Sequence, residues 1–304
     1  MRLPITSLCR LAPLLLYSAK LSSAFMVHSS CNGKDFDRAK LVQAIEDAFL
    51  YAADAVDYWD NNEAQDLKSW LFGSSAAGAK KFFDNLISDA SVTVENQDSN
   101  ADIATEKVVF FCSTDVLKTE KDPVENNPNN PSGSPIITNT VVNIRAYGDP
   151  KDCEPKFLAD GVKAFTARQN GRSYIMICPW YLEQMKVGKV PTAKGFKALL
   201  KSSVRALDKG LDKIIPDAAM TGMDTMALLE QTMLHELTHT AYGGGAADIA
   251  SLDSYGWENV RKLSSNPNAY KNAESLAFFG LGANLMRGPP SYVISENGDI
   301  KQKS

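Results

Sequence analysis

Histidine is scarce in this chain, with three in 304 residues, at His28, His235 and His239. Lysine and arginine, 32 in all, are outnumbered by 36 aspartates and glutamates for a net charge of −4, and no basic cluster stands out. That balance gives no electrostatic footprint for nucleic acid. No run approaches the about 18 uninterrupted apolar residues of a membrane span, so no membrane helix is expected. There is no Gly-x-Ser-x-Gly, no phosphate-cradling glycine loop, no internal repeat, and no Asn-x-Ser/Thr sequon with a permitted middle residue. N-glycosylation is therefore not expected.

With 44% apolar residues the chain is long and apolar enough to bury a substantial core. Residues 1–24, MRLPITSLCRLAPLLLYSAKLSSA, combine early basic residues, an apolar run from Leu11 to Tyr17 and a small-residue site at Ser22-Ser23-Ala24. This is the pattern of a secretory signal peptide, so the expected location is extracellular. Of five cysteines, Cys9 would leave with that segment, and Cys31, Cys112, Cys153 and Cys178 remain. An even number in an exported chain points to two disulfides. The favoured pairing is Cys31 with Cys112 and Cys153 with Cys178, the second closing a local loop around a strand.

Helical periodicity is expected over Asp35 to Trp59, Ala77 to Ser88, Phe196 to Ile215, Thr225 to Tyr242, Gly256 to Leu263 and Asn272 to Met286. Strands are expected over Ser91 to Val94, Lys107 to Cys112, Ile136 to Ala146 and Ser173 to Cys178. The proline-broken stretch Lys121 to Pro135 reads as a surface loop. The Gly243-Gly244-Gly245 run is expected to stop the helix before it. Residues 25–286 form one expected domain, a helix-plus-sheet part over 25–180, with a removable propeptide within it left open, and a helical part over 190–286, with 287–304 as a flexible tail.

Two histidines lie in His235-Glu236-Leu237-Thr238-His239. Four residues apart on a helix, they share one face and reach a single Zn2+. Glu236, rotated about 100° from His235, points at water beside the metal and serves as general base. With His28 near the expected mature N-terminus and the other two histidines so engaged, no spare base is apparent for a serine or cysteine triad. A catalytic zinc takes a third protein ligand. No histidine follows His239, which leaves carboxylates: Asp248, Asp253 and, by a thermolysin-like pattern, Glu258.

The segments HELTH, GGGAAD ending at Asp248, SYGW at Ser254 to Trp257 and NAES at Asn272 to Ser275 resemble the aspzincin metallopeptidases, the deuterolysins and lysine-specific metallo-endopeptidases, mostly fungal. The likeness is close over about fifty residues from His235 to Gly280 and in outline elsewhere. It implies Asp248 as third ligand, nine residues after His239 as in the lysine-specific branch. It also implies Tyr255 as oxyanion stabiliser and Glu274 as the acid that receives a basic substrate side chain. Ala246 replaces the family's Gly-Thr pair, the aspartate-to-tyrosine interval is longer, and Ala277 stands where a second acid belongs, so strict lysine specificity is not expected.

The expected fold is α+β and zincin-like, a helical half carrying the zinc beside a small mixed or antiparallel sheet. The expected function is that of a secreted, monomeric zinc metalloendopeptidase with one Zn2+ ion, acting on protein or peptide substrates and not on membranes. The competing readings are a secreted zinc-capturing protein and an inactive protease-like protein of the host or cell-wall interface.

Overall fold

The computed structural model describes residues 25–33, 37–88, 92–94, 103, 106–123, 133–154, 162–186, 221–250 and 254–303. Among them the main sheet has five strands: β1 (Phe25–Val27), β2 (Val92–Val94), β3 (Val108–Phe111), β7 (Ala164–Gln169) and β8 (Arg172–Ile177). Their order is β2-β1-β3-β8-β7. The first four run parallel and β7 is antiparallel to β8, so the sheet is mixed. Period-two alternation divides its side chains between two cores. Phe25, Val27, Val108, Phe110, Ile175 and Ile177 face the larger, helical core. Met26, Val109, Phe111, Tyr174 and Met176 face the smaller one.

The smaller core is closed by a second sheet, β4 (Leu117–Glu120), β5 (Ile136–Asn139) and β6 (Ile144–Tyr147), an antiparallel meander. It contributes Ile144, with Val142 from the turn before β6. The helical layer comprises α1 (Arg38–Tyr58), α2 (Glu63–Phe72), α3 (Lys80–Ile87), α4 (Pro179–Lys186), α5 (Gly222–Met226), α6 (Leu229–His239), α7 (Trp257–Leu263) and α8 (Ala273–Arg287). Asp37 caps α1, accepting from the Ala39 amide. The stripe Leu41, Ile45, Ala48 and Ala52 is fully buried, as α1 packs on α3, α6 and α8. No helix among the described residues is long and apolar enough to cross a membrane.

Several elements depart from the sequence reading. The helix expected over Phe196 to Ile215 lies outside the described residues, as does the middle of the proline-rich loop. The region 225–242 is two helices, α5 closed by a capping box between Thr221 and Asp224, and then α6. The glycine run is not the cap of α6. That helix ends at Thr240, whose backbone is extended and whose hydroxyl donates to the Leu237 carbonyl at 2.6 Å. The segment 287–304, expected to be loose, carries a hairpin of β9 (Tyr292–Ile294) and β10 (Ile300–Gln302). Tyr292 and Ile294 are buried in the main core, which ties the segment down.

Both expected disulfides are present, Cys31–Cys112 at a separation of 81 residues and Cys153–Cys178 at 25. The first joins the ends of β1 and β3 and the second ties the end of β8 to a short 3-10 turn at Pro150–Cys153. Closing the longer loop removes more freedom from the unfolded chain. Replacing both cysteines of the first pair with serine should cost about 4.5 kcal/mol, and of the second about 3.5 kcal/mol. Guanidinium unfolding of the two double variants checks the order, and a larger loss from the shorter loop would contradict it.

Candidate metal centre

Helix α6 is buried from Leu229 to Thr238 although it carries Glu230, Gln231, Thr232, His235, Glu236 and Thr238. Buried polar groups need partners inside the protein. The hydroxyl of Thr238 donates to the His235 carbonyl at 2.7 Å, and Gln231 Nε2 donates to Glu274 Oε2 at 3.1 Å. Glu274 is on the first turn of α8 and only 7% exposed.

The two histidines are oriented by the oxygens behind them. His235 Nδ1 lies 2.8 Å from Glu274 Oε2, and His239 Nδ1 lies 2.9 Å from the Ala246 carbonyl. A carbonyl accepts only, and so does an ionised carboxylate. Each Nδ1 must therefore carry a proton, and in the neutral ring that leaves Nε2 as the outward-facing lone pair. These two Nε2 atoms face each other at 3.1 Å.

Asp248 completes the cluster. Its Oδ1 is 3.4 Å from His235 Nε2 and its Oδ2 is 3.4 Å from His239 Nε2. Oδ1 is buried with no hydrogen-bond partner. Ligands 2.0–2.1 Å from a tetrahedral zinc are separated from one another by about 3.4 Å. The observed spacings match that edge length, so the three converging ligand atoms, with an orphaned buried oxygen among the carboxylate pair, fit such an ion. His235, His239 and Asp248 are the group of this kind among the described residues.

The charges around the cluster favour a positive charge there. Burial opposes a charged His235 ring, but the hydrogen bond to Glu274 and the charges of Glu274, Glu236 and Asp248 outweigh it and push its pKa up to about 9. Burial opposes ionised Asp248 as well, yet the neighbouring His239 and His235 hold it below the usual carboxylate range. Glu274 follows the same pattern, burial being outweighed chiefly by His235. The pocket is built for a positive charge.

The turn that delivers Asp248 depends on the glycine run. The amides of Gly244 and Gly245 both donate to the Thr240 carbonyl, and Ala246 donates to the Thr238 carbonyl at 2.9 Å, folding the chain back over α6. Gly244 and Gly245 have φ of 108° and 71°, and a Cβ on Gly243 would stand 2.1 Å from the Leu237 carbonyl oxygen. The returning strand is then fixed to α8. Ala247 donates to the Lys271 carbonyl, Ala273 donates to the Ala247 carbonyl, and Asn272 Oδ1 accepts from the Ile249 amide at 3.3 Å.

Tyr255 stacks on His235 with ring centroids 5.5 Å apart, and its hydroxyl donates to Asp248 Oδ2 at 3.0 Å. Burial, then the charge of Asp248, push the phenol far above its ordinary pKa, so it stays a donor. Glu236 is 4% exposed, and its Oε2 accepts from the Thr166 hydroxyl of β7 at 2.7 Å.

Of the expected site residues, His235, Glu236, His239, Asp248 and Tyr255 thus come together. Glu274 joins them from behind His235. Its carboxylate is enclosed and occupied by His235 and Gln231, with the Gly256 amide 3.5 Å from Oε1. It backs a histidine. Glu258 lies on solvent-exposed α7 surface, paired with Lys262 at 2.8 Å and away from the cluster. Asp253 lies outside the described residues. Gln231 and Thr166 were missed by sequence reasoning, because contacts across 43 and 70 residues leave no local signal.

No family model and no curated protein matches the chain. Among solved structures it is similar to a zinc peptidase from Grifola frondosa, at 15% identity and a TM-score of 0.39, over 81% of this chain and 94% of that one. The meaning of the site therefore rests on its own residues.

Proposed function

We propose that this chain is a secreted zinc-dependent endopeptidase of the aspzincin type, a single domain acting as a monomer on protein or peptide substrates. The observation that carries the reading is the convergence of His235 Nε2, His239 Nε2 and the Asp248 carboxylate at separations of 3.1, 3.4 and 3.4 Å, beside the buried carboxylate of Glu236. Both disulfides, and the leader-like segment 1–24, support export.

His235, His239 and Asp248 would hold one zinc ion. When bound, such an ion supplies Lewis acidity, lowering the pKa of a water toward about 7 and polarising a carbonyl. Glu236 takes the proton from the water that attacks the peptide carbonyl and passes it to the leaving amine. Tyr255, protonated throughout, donates to the oxygen that becomes negative. Glu274 and the Ala246 carbonyl hold the Nδ1 protons, so that neither ring turns away.

X-ray absorption of the zinc-loaded protein tests the ligand set: two imidazole nitrogens and a carboxylate oxygen are expected, and sulfur in the first shell would refute it. Glu274→Gln should weaken zinc binding by about 10- to 100-fold, as loss of a ligand's hydrogen-bond partner does. Chelator competition reads this, and unaltered affinity would return Glu274 to a substrate-facing role.

A further inference from the structure

The base Glu236 sits on α6, but the group that touches its carboxylate belongs to the edge strand of the main sheet. Thr166 Oγ1 lies 2.7 Å from Glu236 Oε2 and 3.0 Å from the Glu236 carbonyl oxygen. That carbonyl is one of the last four of the helix, where the i+4 amide partner is lost because Thr240 N donates to Leu237 instead. One hydroxyl therefore bridges the main chain and the side-chain end of the same glutamate. Its single proton goes to the nearer, charged oxygen, the stronger of the two bonds.

This contact restricts a side chain with three rotatable bonds to one arrangement relative to its own backbone. It also registers α6 against β7, whose pairing from Ala164↔Ile177 to Gln169↔Arg172 is unbroken. The turn between β7 and β8 is rigid in the same sense, since Asn170 and Gly171 have φ of 53° and 77°, the geometry of a two-residue type I′ turn. The hydroxyl's position is thus set by a continuous ladder.

We infer that Thr166 is a positioning residue, holding the Glu236 carboxylate in the orientation from which it works as base. The inference rests on the peptidase reading for its catalytic consequence and on the geometry alone for the contact.

The test compares Thr166→Val, which keeps the shape and removes the hydroxyl, with Thr166→Ser, which keeps the hydroxyl. In zinc-loaded protein Thr166→Val should lower kcat by about 10- to 100-fold, the scale of a misplaced catalytic group, with KM little changed. Thr166→Ser should recover most of the loss. Zinc affinity by chelator competition and the thermal midpoint separate this from a structural role, which would move both and leave the kcat-to-KM balance alone.

A readout free of turnover is the Glu236 carboxyl carbon resonance in 13C-labelled protein, assigned by its disappearance in Glu236→Gln. It should shift in Thr166→Val and return in Thr166→Ser. An unmoved resonance overturns the positioning role. A shifted resonance in a wild type that cleaves no peptide keeps the positioning role and overturns the peptidase reading. Equal kcat in Thr166→Val and an active wild type overturns the catalytic part of the inference.

Discussion

Glu236→Ala should retain one zinc per chain and lose peptidase activity by about 100- to 10,000-fold, the range that a positioned general base supplies. Zinc is retained because the three atoms that converge belong to His235, His239 and Asp248. The fold is retained because the substitution removes a carboxylate whose described hydrogen bond is to Thr166, and that hydroxyl keeps the main-chain carbonyl at 3.0 Å. Zinc content and hydrolysis of a quenched peptide are measured on one preparation. Undiminished hydrolysis would remove Glu236 from the chemistry, and lost zinc would make it a ligand.

Asp248→Ala should abolish stoichiometric zinc binding under conditions that saturate the wild type. Two imidazoles alone make an incomplete site, and the carboxylate supplies the negative charge that compensates the cation. The stability readout is independent. Zinc at about 100 times its dissociation constant should stabilise the wild type by about 2.7 kcal/mol through mass action and leave the variant's midpoint unmoved. If Asp248→Ala keeps its zinc in full, the third ligand is Asp253, since Glu258 is turned to solvent and paired with Lys262.

Local signals were legible in the sequence and long-range ones were not. The spacing of His235 and His239 announces a shared helical face, and α6 carries them one turn apart with Nε2 atoms 3.1 Å from each other. The cysteine count and the loop around β8 led to the observed pairs. Two hairpins had a signal that went unused: Asn170-Gly171 between β7 and β8, and Asn297-Gly298 between β9 and β10, the dipeptide that favours positive φ in tight turns. Reading the first would have identified β7, and with it the strand that touches Glu236.

Glu274 shows the opposite case. The resemblance singles it out, yet its observed contact lies 39 residues back along the chain, at His235 Nδ1. Nothing in the spacing of Asn272-Ala273-Glu274 states whether the acid faces a substrate or a ligand. What the structure adds is an exposure of 7%, and burial is a property of how α8 packs on α6. The glycine run misled for a similar reason. Glycine accepts left-handed conformations wherever they occur, and here they build the turn carrying Asp248 after the helix has already ended at Thr240.

The most direct measurement is digestion of casein by the purified chain, stripped of metal with a chelator and then titrated with zinc. The stripped protein should leave casein intact, and activity should rise to a plateau at one equivalent of zinc. Uptake of one equivalent with casein left intact would contradict this and leave His235, His239 and Asp248 as the grip of a zinc-binding protein.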